Sequence, residues 1–262
     1  MAHNLVWWYH EENEKSFVFL INMKLFRDVV YFFKRKILPG FKIGRDELVI
    51  DIGSGDKPFW RADVFFDDAS SFNNQRTTGT GVIRDLGLFV DGKLPNTPFK
   101  DKAFGFSYCS HLLEHVSDPD AALKEIMRIS KRGYIEVPNG VLEVMEPFPS
   151  HLWIIYVMDN KLVFYRKSAK FHKLALQNAG KYTYLIDKTK DPFIRFFWDG
   201  KIDYEIVKEF DEKQFFYPES KNELNTHHNY QISRFYLYLV KVMRALFYSN
   251  KNLNQFSGVN IS

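Results

Sequence analysis

Between residues 48 and 137, short apolar runs alternate with turns and helical stretches. No other feature of the chain restricts its fold as much. "LVIDI" (48–52), "ADVFFD" (62–67), a run within 82–91, "AFGFSYCS" (103–110) and "GYIEV" (133–137) each have strand length and β-rich composition. Between the last two lies "SDPDAALKEIMRIS", with Asp118 or Ser117 placed to cap a helix. Pro119 falls in its first turn, and Ala122, Ile126 and Ile129 share a face. Strands that alternate with helices predict a mostly parallel sheet with helices on both faces, an α/β fold of Rossmann type. Ligands in such sheets bind outside the carboxyl ends of the strands. Those ends therefore hold the candidate site residues.

The first end is "VIDIGSGDKPF", Val49 to Phe59. Asp51 sits near the strand tip, and Gly53 and Gly55 follow. Glycine lets the backbone approach a ligand closely because no Cβ intervenes. A dinucleotide fingerprint would place a third glycine where Lys57 stands. With Asp51 in that place, the turn suits S-adenosylmethionine (SAM), whose methionine end is cationic and has no pyrophosphate to cradle; on the motif alone, a tight turn with an N-cap is an equal reading. A short helix after Asp56 would offer its amides to the ligand's carboxylate. Asp67 ends the second strand, where an acid can chelate both ribose hydroxyls. An NAD-dependent oxidoreductase is disfavoured by the missing glycine and by the lack of a Tyr-x-x-x-Lys pair in the right region.

The stretch 98–139 carries "PFKDKAF", "HLLEHVSDP" and "ALKEIMRI" in that order. It resembles the middle of class I SAM-dependent methyltransferases of the type 11 group, and the likeness extends over about residues 46–140. The resemblance implies that Asp51, Gly53 and Gly55 line the methionine side of SAM and that Asp67 holds the ribose. It places Asp91 near the adenine, and Ser110 and His111 beside the sulfonium and the acceptor. Three departures stand out: the span between Asp51 and Asp67 is short, Gly105 replaces an acid, and the loop 68–81 has no counterpart. The "SHLLEHVSDP…KRGYIEVPN…HLW" run is also similar to methyltransferase-type proteins encoded among bacterial surface-glycan genes. It implies a sugar hydroxyl of a surface or lipid-linked glycan as acceptor. The alternatives are a small aromatic or lipid acceptor, and a catalytically weak partner subunit.

His111 and His151 are the candidate general bases, because histidine titrates near neutrality. His227 and His228 could also reach the pocket. His111 and His115 stand one helical turn apart with Glu114 between, but the methyltransferase pattern accounts for this stretch, so no metal site is expected. Cys109, the single cysteine among 262 residues, excludes an intrachain disulfide and reads as a core residue.

Outside the core, "HLWIIYVMDNKLVFYRK" (151–167) alternates around Asp159-Asn160 as a β-hairpin. A helix is expected at about 168–179 and another over 231–251. The resulting division is a helical extension at 1–45, a SAM-binding core at 46–180 and a substrate-side elaboration at 181–262. The apolar run Ser16–Phe33 is broken by Asn22, Lys24, Arg27 and Asp28, so it predicts an amphipathic helix and not a membrane span. Glu11, Glu12 and Glu14 precede it, which argues against a signal peptide. The basic, aromatic terminal helices suit either packing on the core, including a homodimer, or contact with an anionic membrane face; packing is the preferred reading. The net charge of +4 does not call for nucleic acid, and no Asn-Pro-Pro-aromatic motif appears. The expected setting is the cytoplasm.

Overall fold

The six-stranded central sheet of the computed structural model has the order β3-β2-β1-β4-β5-β8. The structure describes residues 29–30, 32–37, 39–69, 81–145, 147–178, 192–210, 234–248 and 253. Strands β1 (Val49–Ile52), β2 (Val64–Asp67), β3 (Leu88–Asp91), β4 (Phe104–Ser110) and β5 (Ser130–Pro138) run parallel. All five match predicted runs. β8 (Phe193–Asp199) joins the edge of β5 antiparallel, so the sheet continues past residue 180, where the core was expected to end.

Strand alternation gives the sheet two different faces. One is largely aliphatic, built from residues such as Ile50, Ile52, Val64, Val90 and Ile135. Helix α1 (Pro119–Ile129) covers it with Ala122, Leu123, Ile126 and Ile129, all essentially inaccessible to solvent. Asp118 caps this helix by accepting from the Ala121 amide at 3.1 Å.

The other face is aromatic: Phe59, Phe65, Phe89, Phe106, Tyr108 and Tyr134 pack together, and Phe59 stacks on Tyr108 at 4.4 Å. The terminal helix α4 (Arg234–Phe247) adjoins this layer. Its Tyr236 and Val240 bury against Phe32, Trp60 and Leu86. Arg244 donates to the carbonyls of Trp60 and Ala62 and lies 5.4 Å over the Phe65 ring. One side of α4 therefore packs on the core, as preferred. The helix ahead of the core is described only at residues 29–30 and 32, followed by a π-helical turn, Phe33–Ile37.

The hairpin forms from β6 (Trp153–Met158) and β7 (Lys161–Arg166), with Asp159 and Asn160 both at positive φ. This is the two-residue turn that the strand twist favours. β9 (Tyr204–Val207) extends it, parallel to β7. Helices α2 (Gly140–Met145) and α3 (Ala169–Asn178) pack on the hairpin through Val144, Ile154, Phe171 and Ala175.

Two departures from the family pattern now have structural accounts. The expected short helix after Asp56 does not form: residues 53–63 run as turns. The span holds Pro58, which has no amide hydrogen to donate. The Phe59 amide, which a helix would turn inward, instead donates to Asp51. A Cβ at Gly105 would lie 2.3 Å from Glu47 Cγ, so a side chain there would displace the carboxylate that pairs with Arg132 at 2.7 Å.

Candidate functional site

Because side chains alternate along a strand, Asp51, Asp67, Asp91, Ser110 and Glu136 project from the aromatic face at the carboxyl ends of β1 to β5. The register pairs Asp67 with Asp91, Ser110 with Glu136, and Glu136 with Arg195 of β8.

The glycine turn is built into this row. Gly53 has φ 75° and Gly55 φ 52°, conformations that favour glycine. The Gly53 amide donates to the Phe66 carbonyl at 2.8 Å, which ties the turn to β2. A Cβ on Gly53 would also press on Leu112 at 3.0 Å. Asp67 accepts the Gly55 amide at 2.6 Å through one oxygen. Asp91 accepts the Ala69 amide at 2.7 Å and is exposed.

Asp51 is 2% exposed and accepts the Phe59 amide at 2.7 Å. Burial pushes its carboxyl up to about 6, against the opposing pull of Lys36 and the Phe59 amide; Asp67 adds to the rise. The Lys36 ammonium reaches this region from the π-helical turn, 4.2 Å over the Tyr108 ring and donating to the Lys57 carbonyl at 3.0 Å. Sequence reasoning did not identify Lys36.

At the tip of β4, His111 has φ 56°, which turns its ring out of the strand direction. Its Nδ1 lies 3.1 Å from Glu114 Oε1, and its Nε2 lies 3.7 Å from Glu136 Oε1. The side chain is 30% exposed and rests edge-on against Phe193. Glu136 is fully buried and accepts from Ser110 Oγ at 3.1 Å, Tyr134 Oη at 2.9 Å and Arg195 Nε at 3.3 Å. Sequence reasoning missed Glu136 and Arg195. The available signal is a lone acid in the apolar strand "GYIEVP"; its partner Arg195 comes from a strand 59 positions away.

His151, expected at the mouth of the pocket, is 8% exposed and held in a second group. Its Nδ1 bonds Glu143, whose other oxygen accepts from Lys167 at 2.7 Å. Its ring stacks on Phe148 at 4.9 Å and meets His115 edge-on at 4.7 Å. The Nδ1 of His115 lies 3.1 Å from the Ser150 carbonyl. Burial, then the charge of His151, lowers the His115 imidazole to about 4. Burial likewise raises the Cys109 thiol well above its ordinary value, in keeping with a core residue. His227 and His228 lie outside the described residues.

These residues fit SAM on chemical grounds. A buried carboxylate with a raised pKa gains from a cationic neighbour. A carboxylate at a strand end beside the glycine turn is a suitable acceptor for a ribose diol. Two glycines at positive φ leave the backbone open to a ligand.

Residues 67–135 match the family model described as "Methyltransferase domain". Among solved structures, a SAM-dependent methyltransferase from Thermotoga maritima, titled a possible histamine N-methyltransferase, is 22% identical. That match covers 49% of this chain and 59% of that one, with a TM-score of 0.35. A Haloferax volcanii protein in complex with the Trm112 methyltransferase activator is 21% identical over 59% and 72% of the two chains, with a TM-score of 0.34. A SAM-dependent methyltransferase from Methanosarcina mazei is 20% identical over 41% and 59%, with a TM-score of 0.32. The match thus spans less than two thirds of the first of these structures. The comparison with curated proteins returns no match. The segment 67–135, set in a Rossmann-like sheet, thus matches a methyltransferase domain, consistent with class I and with SAM as the methyl donor.

Proposed function

We propose that the chain transfers a methyl group from SAM to a hydroxyl, and that the acceptor is a sugar of a surface glycan or lipid-linked glycan. The observation that carries the reading is the coupling of Asp67 to the Gly55 amide with buried Asp51 behind the same turn. When bound, SAM supplies a methyl already activated by its sulfonium. The protein's tasks are then to position the acceptor and to receive its proton.

His111 suits the second task. Donation of Nδ1–H to Glu114 leaves Nε2 as the basic nitrogen, at the partly exposed edge of the site. As the acceptor oxygen gains the methyl, its proton passes to Nε2. The imidazolium so formed lies between the carboxylates of Glu114 and Glu136. Ser110, Tyr134 and Arg195 hold Glu136 in place for this. His151 is enclosed by Glu143, Phe148 and His115, which suits a supporting position better than contact with an acceptor. The glycan assignment is supported by the resemblance of the 110–153 run to methyltransferase-type proteins of glycan gene groups. It accords with a cytoplasmic setting, and among the described residues no helix is long and apolar enough to cross a membrane.

The test is calorimetry of the full chain with SAM, S-adenosylhomocysteine and NAD, with Asp51→Ala and Asp67→Ala alongside. Micromolar binding of the first two, absent for NAD and lost in the variants, is expected. Transfer of labelled methyl to nucleotide-linked sugars or lipid-linked oligosaccharides then tests the acceptor. Absence of any SAM binding would favour a partner subunit.

A further inference from the structure

We propose that Glu114, His115 and His151 form a binding site for one divalent transition-metal ion. One donor atom from each residue lies within 4.8 Å of the other two. A tetrahedral ion with bonds of about 2.0–2.2 Å places its donors roughly 3.5 Å apart, so closure around it asks for a contraction of little more than about 1 Å.

The surroundings of both histidines are those of metal ligands. Each uses Nδ1 for an outer contact: His115 on the Ser150 carbonyl, and His151 on the Glu143 carboxylate. Both acceptors require Nδ1–H, which leaves Nε2 of each ring as a lone-pair donor. Metal-bound histidines are oriented in this way, by a carbonyl or carboxylate on the far nitrogen. Lys167 in turn holds Glu143 at 2.7 Å and balances its charge. The anionic ligand is then Glu114, 1% exposed, which also fixes His111. Two imidazoles and one carboxylate with one position open suit zinc or a neighbouring first-row ion.

The ligands come from the loop after β4 and the loop before β6, which the Glu114 carbonyl already joins by accepting from the Leu152 amide at 2.7 Å. The ion would lock these loops together and, through Glu114, set the orientation of His111. None of the SAM contacts takes part, so this site stands or falls apart from the proposed activity.

Tag-free chain is loaded with zinc, passed through gel filtration and analysed for metal by mass spectrometry, and zinc affinity is measured by calorimetry. One zinc per chain is expected, with the d–d absorption of a low-coordinate site on cobalt substitution. His115→Gln and His151→Gln should each abolish retention while circular dichroism stays native. Glu143→Gln touches no ligand atom and should weaken zinc about 10–100-fold. His172→Gln, on α3 and outside the donor group, should leave affinity unchanged. A wild-type chain that emerges without zinc, or ligand variants that keep it, would overturn the assignment and leave a purely hydrogen-bonded network.

Discussion

The raised pKa of Asp51 makes SAM affinity depend on pH in a direction that the structure sets. In the free protein the Asp51 carboxyl titrates near 6. The cationic methionine end of SAM favours the ionised carboxylate, so binding is strongest where Asp51 is already ionised and must release a proton below that point. With a pKa of about 6, roughly a tenth of the protein is ionised at pH 5 and nearly all at pH 8, so the dissociation constant should fall about tenfold from pH 5 to pH 8. Calorimetry at pH 5, 6, 7 and 8, in buffers of different ionisation enthalpy, measures the affinity and the proton released. In Asp51→Asn the dependence should vanish along with much of the affinity. The stability of the free protein has the opposite sign. Between the ordinary value of 3.8 and about 6, the folded state holds a proton that the unfolded chain releases, so the Asp51 contribution falls as pH rises. Above that window it amounts to a cost of order 3 kcal/mol. Asp51→Asn should therefore melt higher than wild type at pH 8 and no higher at pH 4. The comparison is made at each pH because His115, held down to about 4, loses its stabilising contribution as pH falls from 6.5 towards 4. A wild-type chain that binds SAM equally at pH 5 and pH 8 would refute the placement of Asp51 against the cation. So would a dependence that survives unchanged in Asp51→Asn.

Three further outcomes are expected. Asp67→Ala removes the carboxylate that meets the Gly55 amide and should weaken SAM by about 1.5–3 kcal/mol in calorimetry; normal binding would mean the second strand is misassigned. His111→Gln should lower turnover on a hydroxyl acceptor by about 10²–10⁴-fold in a methyl-transfer assay while SAM affinity holds. Gly133→Ala sets a Cβ 2.5 Å from the Ser107 carbonyl oxygen and 2.8 Å from Trp198 Nε1, between β4 and β8. Thermal unfolding should show a loss of about 1–3 kcal/mol.

Much of the fold, and the place in it of the glycine turn and the strand-end acids, could be read from the sequence because their causes are local. An apolar run of strand length, a glycine pair that needs positive φ and an acid at a strand tip each declare themselves within a few residues. That is why β1 to β5, α1, the hairpin, Gly53, Gly55 and Asp67 lie where the sequence predicts. The stubby helix after Asp56 failed because the motif carried the expectation of a helix into a span where Phe59 had a better partner in Asp51.

The remainder depended on long-range packing. "FIRFFWD" alternates as a strand, but only the open edge of β5 decides that it enters the central sheet antiparallel. Glu136 becomes part of the site because Arg195, 59 positions on, and His111, 25 positions back, converge on it. His115 and His151 lie far apart in the chain and meet because the loops after β4 and before β6 are stitched together through Glu114 and Leu152. Local sequence thus determined the strands and the acids at their tips. Burial and chain crossing determined which of those groups touch, which carboxyls lose their water, and which histidines meet.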